Sequence, residues 1–167
     1  LALGAGVPVL PIDTLAALAE EARLAWQQAK PGAALPAQLT ALLDARMDEM
    51  YVQHFSLVGN AYQSLGSCTL VRPEALPPGA SAGGGLLLAG NVFSVYAGRL
   101  PALPEGSAAL TLLPTATAML RLAPALLADG QARPADQALP LYVRDKVAQT
   151  TDERAQAKLA ALPVAAT

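Results

Sequence analysis

The residues best suited to chemistry gather in one short stretch, Asp44, Arg46, Asp48 and Glu49. Carboxylates at that spacing could hold a magnesium ion or act as acid and base. Asp and Glu also favour turns and strand ends for local reasons, by bonding nearby backbone. No lysine or histidine adjoins them to complete a relay, so the structural reading of this cluster leads. His54 is the only histidine. Neither a His-Glu-x-x-His nor any other histidine pair for zinc can therefore be built, and a Ser-His-Asp or Cys-His relay would depend on His54 alone. It falls inside a strand candidate beside Phe55, where a packed or edge-strand histidine is the expected role.

Cys68 is likewise single, which excludes an internal disulfide and a cysteine-rich zinc site. With Arg72 as its one basic neighbour in sequence, it is expected to be a buried, inert thiol. Gly83-Gly84-Gly85 is followed by no Gly-Lys-Ser/Thr and reads as a loop, not a phosphate cradle. Gly4-Ala5-Gly6 lacks a third glycine and precedes a strand candidate where a dinucleotide fingerprint would follow one. Arg46, Arg72, Arg99, Arg144 and Lys146 are scattered. The small basic group Arg144 and Lys146, near Tyr142, is expected to be a solvated face after a strand.

Composition narrows the class. With 53% apolar residues in 167, the chain can bury a core of one domain or one large lobe. A formal net charge of −2 gives no field to attract nucleic acid or anionic lipid. The most apolar stretch, Ala108 to Ala128, is broken by Pro114, Arg121 and Pro124, which argues against a membrane span. Leu1 to Ile12 resembles the apolar core of a signal peptide but has no basic leader, and Pro8 and Pro11 interrupt it. A start within an element, as in a fragment, is the expectation. The lone cysteine agrees with a reducing, cytoplasmic setting.

The elements that must position these residues alternate between strand and helix. Val7 to Ile12 reads as a short buried strand. Asp13 or Thr14 then caps a helix to about Gln28, with Leu15, Leu18, Ala22 and Trp26 on one face. Leu39 to Asp44 and Glu49 to Leu57 form a predicted hairpin, and Thr69 to Arg72 adds a short strand ended by Pro73. Pro77 to Gly85 is a loop. Leu86 to Ala89, closed by Gly90-Asn91, has the continuous apolar run of a buried parallel strand. Thr115 to Ala128 is helical in pattern, and Pro124 should kink or split it. Leu139 to Val143 is a short strand or extended segment. Thr150 and Glu153 have capping-box spacing ahead of a tail helix that Pro163 ends. The pattern is an α/β layered lobe over residues 1–150 with a tail at 151–167.

Three segments carry a resemblance to a family. Leu1 to Leu15 is similar to a helix end, strand and capped helix of the TsaB (YeaZ-like) family. Leu43 to Tyr51, with Asp44-Ala45-Arg46 at its head, resembles the family's hairpin, and Leu139 to Ala148 its late Pro-x-Tyr-x-Arg-x-x-Val-Ala segment. Leu88-Ala89-Gly90-Asn91 matches a strand-and-turn element more weakly.

The resemblance implies the C-terminal lobe of an actin-like (ASKHA, ribonuclease H-like) fold, a mixed sheet flanked by helices. The N-terminal lobe would be missing, and Leu1 to Gly4 would end the inter-lobe helix. It further implies a non-catalytic bacterial, cytoplasmic scaffold. That scaffold would stimulate a TsaD-type catalytic subunit in threonylcarbamoyladenosine modification of tRNA, in a complex that also holds a TsaE-type ATPase. Contact with tRNA would be indirect, and a homodimer would form through the N-terminal lobe. No cofactor or metal is implied. Asp44, Arg46, Asp48, Gly90 and Asn91 would be vestigial positions of a nucleotide site. Two alternatives stay open: an actin-like ATPase or kinase, and a glycoprotease-like peptidase.

Overall fold

Strand β1 (Gln38–Asp44) lies at the centre of the sheet because both of its faces are apolar enough to be covered. The computed structural model describes residues 1–77 and 85–144. β1 pairs antiparallel with β2 (Met50–Val58) and parallel with β5 (Leu86–Gly90). β2 continues into β3 (Ala61–Ser64), and also pairs with β4 (Thr69–Val71) further along the same edge. β5 pairs parallel with β6 (Ala108–Leu110), giving the order β3-β2-β1-β5-β6.

Alternation along these strands divides two cores. Leu39, Ala41, Phe55, Leu87 and Ala89 face helix α2 (Thr14–Ala29), which presents Leu15, Leu18, Ala19 and Ala22. Leu42, Met50, Val52, Leu86 and Leu88 face the other way, toward Leu76 and toward Val92 and Tyr96 of the α3 region (Val92–Val95). β5 is buried along its whole length, as a parallel strand covered on both faces must be.

Helix α2 begins where expected: Asp13 accepts the Ala16 amide at 2.9 Å. Its outer side meets α4 (Ala116–Ala128) through charge. Glu20, only 8% exposed, receives Arg23 and Arg121, and Arg121 also reaches Glu21. Burial by itself would raise the Glu20 carboxyl, but the two guanidinium groups outweigh it and hold the group below its ordinary value. Replacing Glu20 with Gln leaves Arg121 one carboxylate short and weakens charge-assisted bonds. A loss of about 2 kcal/mol is expected in urea unfolding, against nearly none for Glu105→Gln on an exposed loop.

Several expectations are corrected. Residues 7–12 are not a strand. Val9 alone forms a bridge, exchanging 2.8 Å bonds with Arg133, because Pro8 and Pro11 remove the amides a ladder would need. Of the two readings of Leu139 to Val143, the strand is excluded, since the segment joins no ladder. α4 is one helix through Pro124. Pro124 stands on its exposed side, as does Leu120, so the Leu120 carbonyl that loses its donor can turn to water. β3 and β6 were not expected, the first following a two-residue Gly59-Asn60 turn. A short helix, α1, covers Ala2–Ala5. The tail-helix expectation, and most of the Pro77 to Gly85 loop, fall outside the described residues. No described helix is long and apolar enough to cross a membrane.

Candidate functional site

The carboxyl ends of β1 and β5 bring Asp44, Gly90 and Asn91 together. In open α/β sheets this edge is where ligands are usually bound. Leu42 and Gly90 are register partners, so the chain after each strand emerges side by side. Gly90 permits this: a Cβ there would lie 1.6 Å from the Leu42 carbonyl oxygen. The Asn91 side-chain oxygen then accepts the Asp44 amide at 2.9 Å, which ties the two strand ends.

From Asp44 the chain turns through Arg46, Met47 and Asp48, all left-handed, with φ of 63°, 55° and 59°. For residues with a Cβ this conformation costs about 1–2 kcal/mol each. The turn survives because its ends are clamped. Asp44 Oδ1 accepts the Arg46 amide at 2.9 Å, and Ala45 N–H donates to Glu49 O at 2.8 Å. Strain held this way marks a site worth attention. Met47, which is exposed, offers a direct check. Met47→Gly should raise unfolding stability by about 0.5–1 kcal/mol, since relief of the left-handed strain exceeds glycine's added unfolded-state freedom.

Asp44 is the centre of the arrangement, with its side chain 9% exposed. The Tyr96 hydroxyl donates to Asp44 Oδ1 at 2.7 Å and lies 3.1 Å from the Glu49 carbonyl. That hydroxyl, then the Arg46 amide and charge, hold the Asp44 carboxyl below its ordinary value against the effect of burial. Burial and the adjoining Asp44 push the Tyr96 phenol up to about 12.

The other predicted positions diverge. Arg46 is 88% exposed and points into solvent, 3.5 Å from Asp44 at its nearest nitrogen. Asp48 pairs outward with Arg99 at 2.7 Å, and Arg99 also binds Glu74 at 2.7 Å. Glu49 pairs with Arg144. The expectation that Arg144 is a solvated face is overturned: its side chain is 18% exposed and folds onto the hairpin turn. Two motifs 95 residues apart thus meet. Tyr96 and Arg99 were missed, and no local spacing marks them.

His54 stands 2.9 Å from Thr40 Oγ1, its register partner across β1–β2. This is the packed strand histidine expected. Cys68 is half-buried, and burial, then the nearby Asp13 charge, push its thiol up, which disfavours a nucleophile. Among the described residues no three His, Cys, Asp or Glu side chains cluster so as to hold a metal. Beside the site a cleft of about 690 Å³ runs between residues 11–15 and 139–143, with Leu43, Asp44, Tyr51 and Cys68 at its base. A phosphate brought to the hairpin turn would meet Asp44, Asp48 and Glu49, with Arg99 and Arg144 already engaged by Asp48 and Glu49 and Arg46 turned to solvent.

A six-stranded mixed sheet with this order and flanking helices defines the class: an α/β lobe of the actin-like, ribonuclease H-like kind. Among solved structures the chain is similar to an uncharacterized protein with similarity to peptidase YeaZ from Pseudomonas aeruginosa. Identity is 33% over 86% of this chain, with a TM-score of 0.68. It is similar also to YeaZ from Pseudomonas aeruginosa, at 31% identity over 84%, again with a TM-score of 0.68. The chain belongs to the YeaZ (TsaB) family. It spans 62% of the length of each of these relatives. No protein-family profile and no curated protein matches it.

Proposed function

We propose that the protein to which this chain belongs is a non-catalytic scaffold. It binds and stimulates a TsaD-type catalytic subunit in threonylcarbamoyladenosine modification of tRNA, in the cytoplasm. The observation that carries this reading is the state of the hairpin-turn carboxylates. Asp44 holds Tyr96 and the Arg46 amide, Asp48 holds Arg99, and Glu49 holds Arg144. A general base or metal ligand needs free lone pairs aimed at a substrate, and here those groups support the fold. Membership of the YeaZ family supports the same role.

The experiment is co-purification with the catalytic subunit and a tRNA modification assay. The protein extended by an N-terminal lobe is compared with residues 1–167. The longer protein is expected to retain the partner and restore modification, and the shorter one to fail. If the longer protein neither binds nor stimulates, the scaffold reading is wrong even though the family stands. Involvement of a TsaE-type ATPase, and pairing with a second copy, belong to the same proposal and can be read from the same complex by mass.

One solved relative is described as similar to a peptidase, which favours a second reading. A Ser-His-Asp or Cys-His relay would have to use His54, which here faces Thr40. Peptide cleavage that disappears in His54→Ala would support it; cleavage unchanged by that substitution would indicate a contaminant.

A further inference from the structure

Residues 139–144 form one wall of the cleft, through Leu139, Pro140, Leu141 and Val143. This wall is weakly held. Leu139 and Leu141 are 81% and 77% exposed, so apolar burial contributes little. Among the described residues, positions 140–143 make no backbone hydrogen bond to another segment, and Pro140 has no amide to give. Among the described residues, and apart from the Leu139 amide bonded to the Gln137 carbonyl at 2.9 Å, the segment's hydrogen bonds to the rest of the protein run through one group, the Arg144 guanidinium. Its Nη2 donates to the Ala45 and Arg46 carbonyls at 3.3 and 3.4 Å and to Glu49 Oε2. Its Nη1 lies 3.3 Å from the Met47 sulfur.

We propose that residues 139–144 are a strap latched by Arg144, and that release of this latch opens the cleft. The two states share the same sheet and helices. They differ in whether the guanidinium caps the strained hairpin turn or is released to water. The guanidinium suits the task because its charge and its Nη2 alone serve two carbonyls and a carboxylate. Nη1 lies on the Met47 sulfur, and Nε is buried without a partner among the described residues. Among the described residues the strap has few other contacts to keep it in place when those are lost, and segments so held open at low cost. The hairpin turn and the cleft are therefore coupled: what grips one changes access to the other. This inference concerns the fold and does not depend on the scaffold reading.

Cys68 lines the cleft and is the only cysteine in the sequence, so it reports the opening directly. The reaction of Cys68 with a maleimide would be followed at fixed pH in residues 1–167, in Arg144→Met and in Glu49→Gln. Arg144→Met is expected to label at least about ten-fold faster, with a rate that stays flat in low urea because the opening is local. Glu49→Gln keeps the two carbonyl contacts and should fall between. A rate within two-fold of the parent in folded Arg144→Met would overturn the latch. So would faster labelling that climbs with urea along the full slope of global unfolding, since Arg144 would then act on stability alone.

Discussion

Gly90→Ala is expected to leave the protein largely unfolded or insoluble. The added methyl would sit 1.6 Å from the Leu42 carbonyl oxygen and 2.7 Å from its carbon, inside bonding range of a backbone atom. Leu42 cannot withdraw. It is fully buried, and it belongs to the strand at the centre of the sheet. The φ of 155° at Gly90 adds backbone strain for any residue with a Cβ. β5 would have to part from β1 at its carboxyl end, which also separates Asn91 from the Asp44 amide. Such overlaps belong with the rare substitutions that cost more than about 4 kcal/mol, a large share of a domain's total stability. Gly130→Ala is the control. Its φ of 70° is left-handed too, but a Cβ there meets open space. A cost of about 1 kcal/mol is expected. Soluble yield and thermal melts followed by circular dichroism check both. A folded Gly90→Ala melting within a few degrees of the parent would show that this close approach does not constrain the strand end.

Much of this architecture was legible in local pattern. The Asp13 cap, the α2 face, the β1–β2 hairpin and the apolar run of β5 each state their structure within a few residues. Gly59-Asn60 carried a hairpin signal as well, and β3 could have been read from it. Prolines were harder to weigh. Pro8 and Pro11 dissolve a strand by removing amides its ladder would need, whereas Pro124 leaves its helix whole because it costs one bond whose carbonyl, on the exposed side, can turn to water. The site was half legible. Asp44, Gly90 and Asn91 were marked by a resemblance, and the sheet does bring them together. The partners that define their chemistry, Tyr96, Arg99 and Arg144, come from distant segments whose approach no spacing encodes. A short hairpin turn with three carboxyl groups looks the same in sequence whether those groups wait for a metal or hold a fold.

Asp44→Ala should cost about 3 kcal/mol while Asp44→Asn costs less. Alanine leaves the Arg46 amide without its acceptor and the Tyr96 hydroxyl with only the Glu49 carbonyl at 3.1 Å in a largely buried place, whereas asparagine keeps an oxygen there but no charge. The same node fixes how stability follows pH. The Asp44 carboxyl is held low in the folded state, so its contribution is complete above the ordinary carboxylate pKa. It is lost as pH falls through the depressed folded value. Glu20 is also held low and acts in the same direction, so the parent should weaken below about pH 4. Tyr96 acts at the other end. Its phenol is raised to about 12, so its contribution is full below the ordinary value of 10.0 and disappears as pH rises through that interval. Urea midpoints taken from pH 2 to pH 12 would display both limbs. Asp44→Asn is expected to make the acid limb shallower, leaving the share of Glu20. Tyr96→Phe should do the same to the alkaline one, leaving that of Tyr62, whose phenol burial also pushes up to about 12. The double variant should lose less than the sum of the two, because each single change already breaks the shared bond. Strict additivity of Asp44→Asn and Tyr96→Phe would mean that the hydroxyl and the carboxylate do not act as a pair. The turn would then be held without that bond, by the Arg46 amide on Asp44, the Ala45 amide on the Glu49 carbonyl, and the Asn91 and Arg144 contacts.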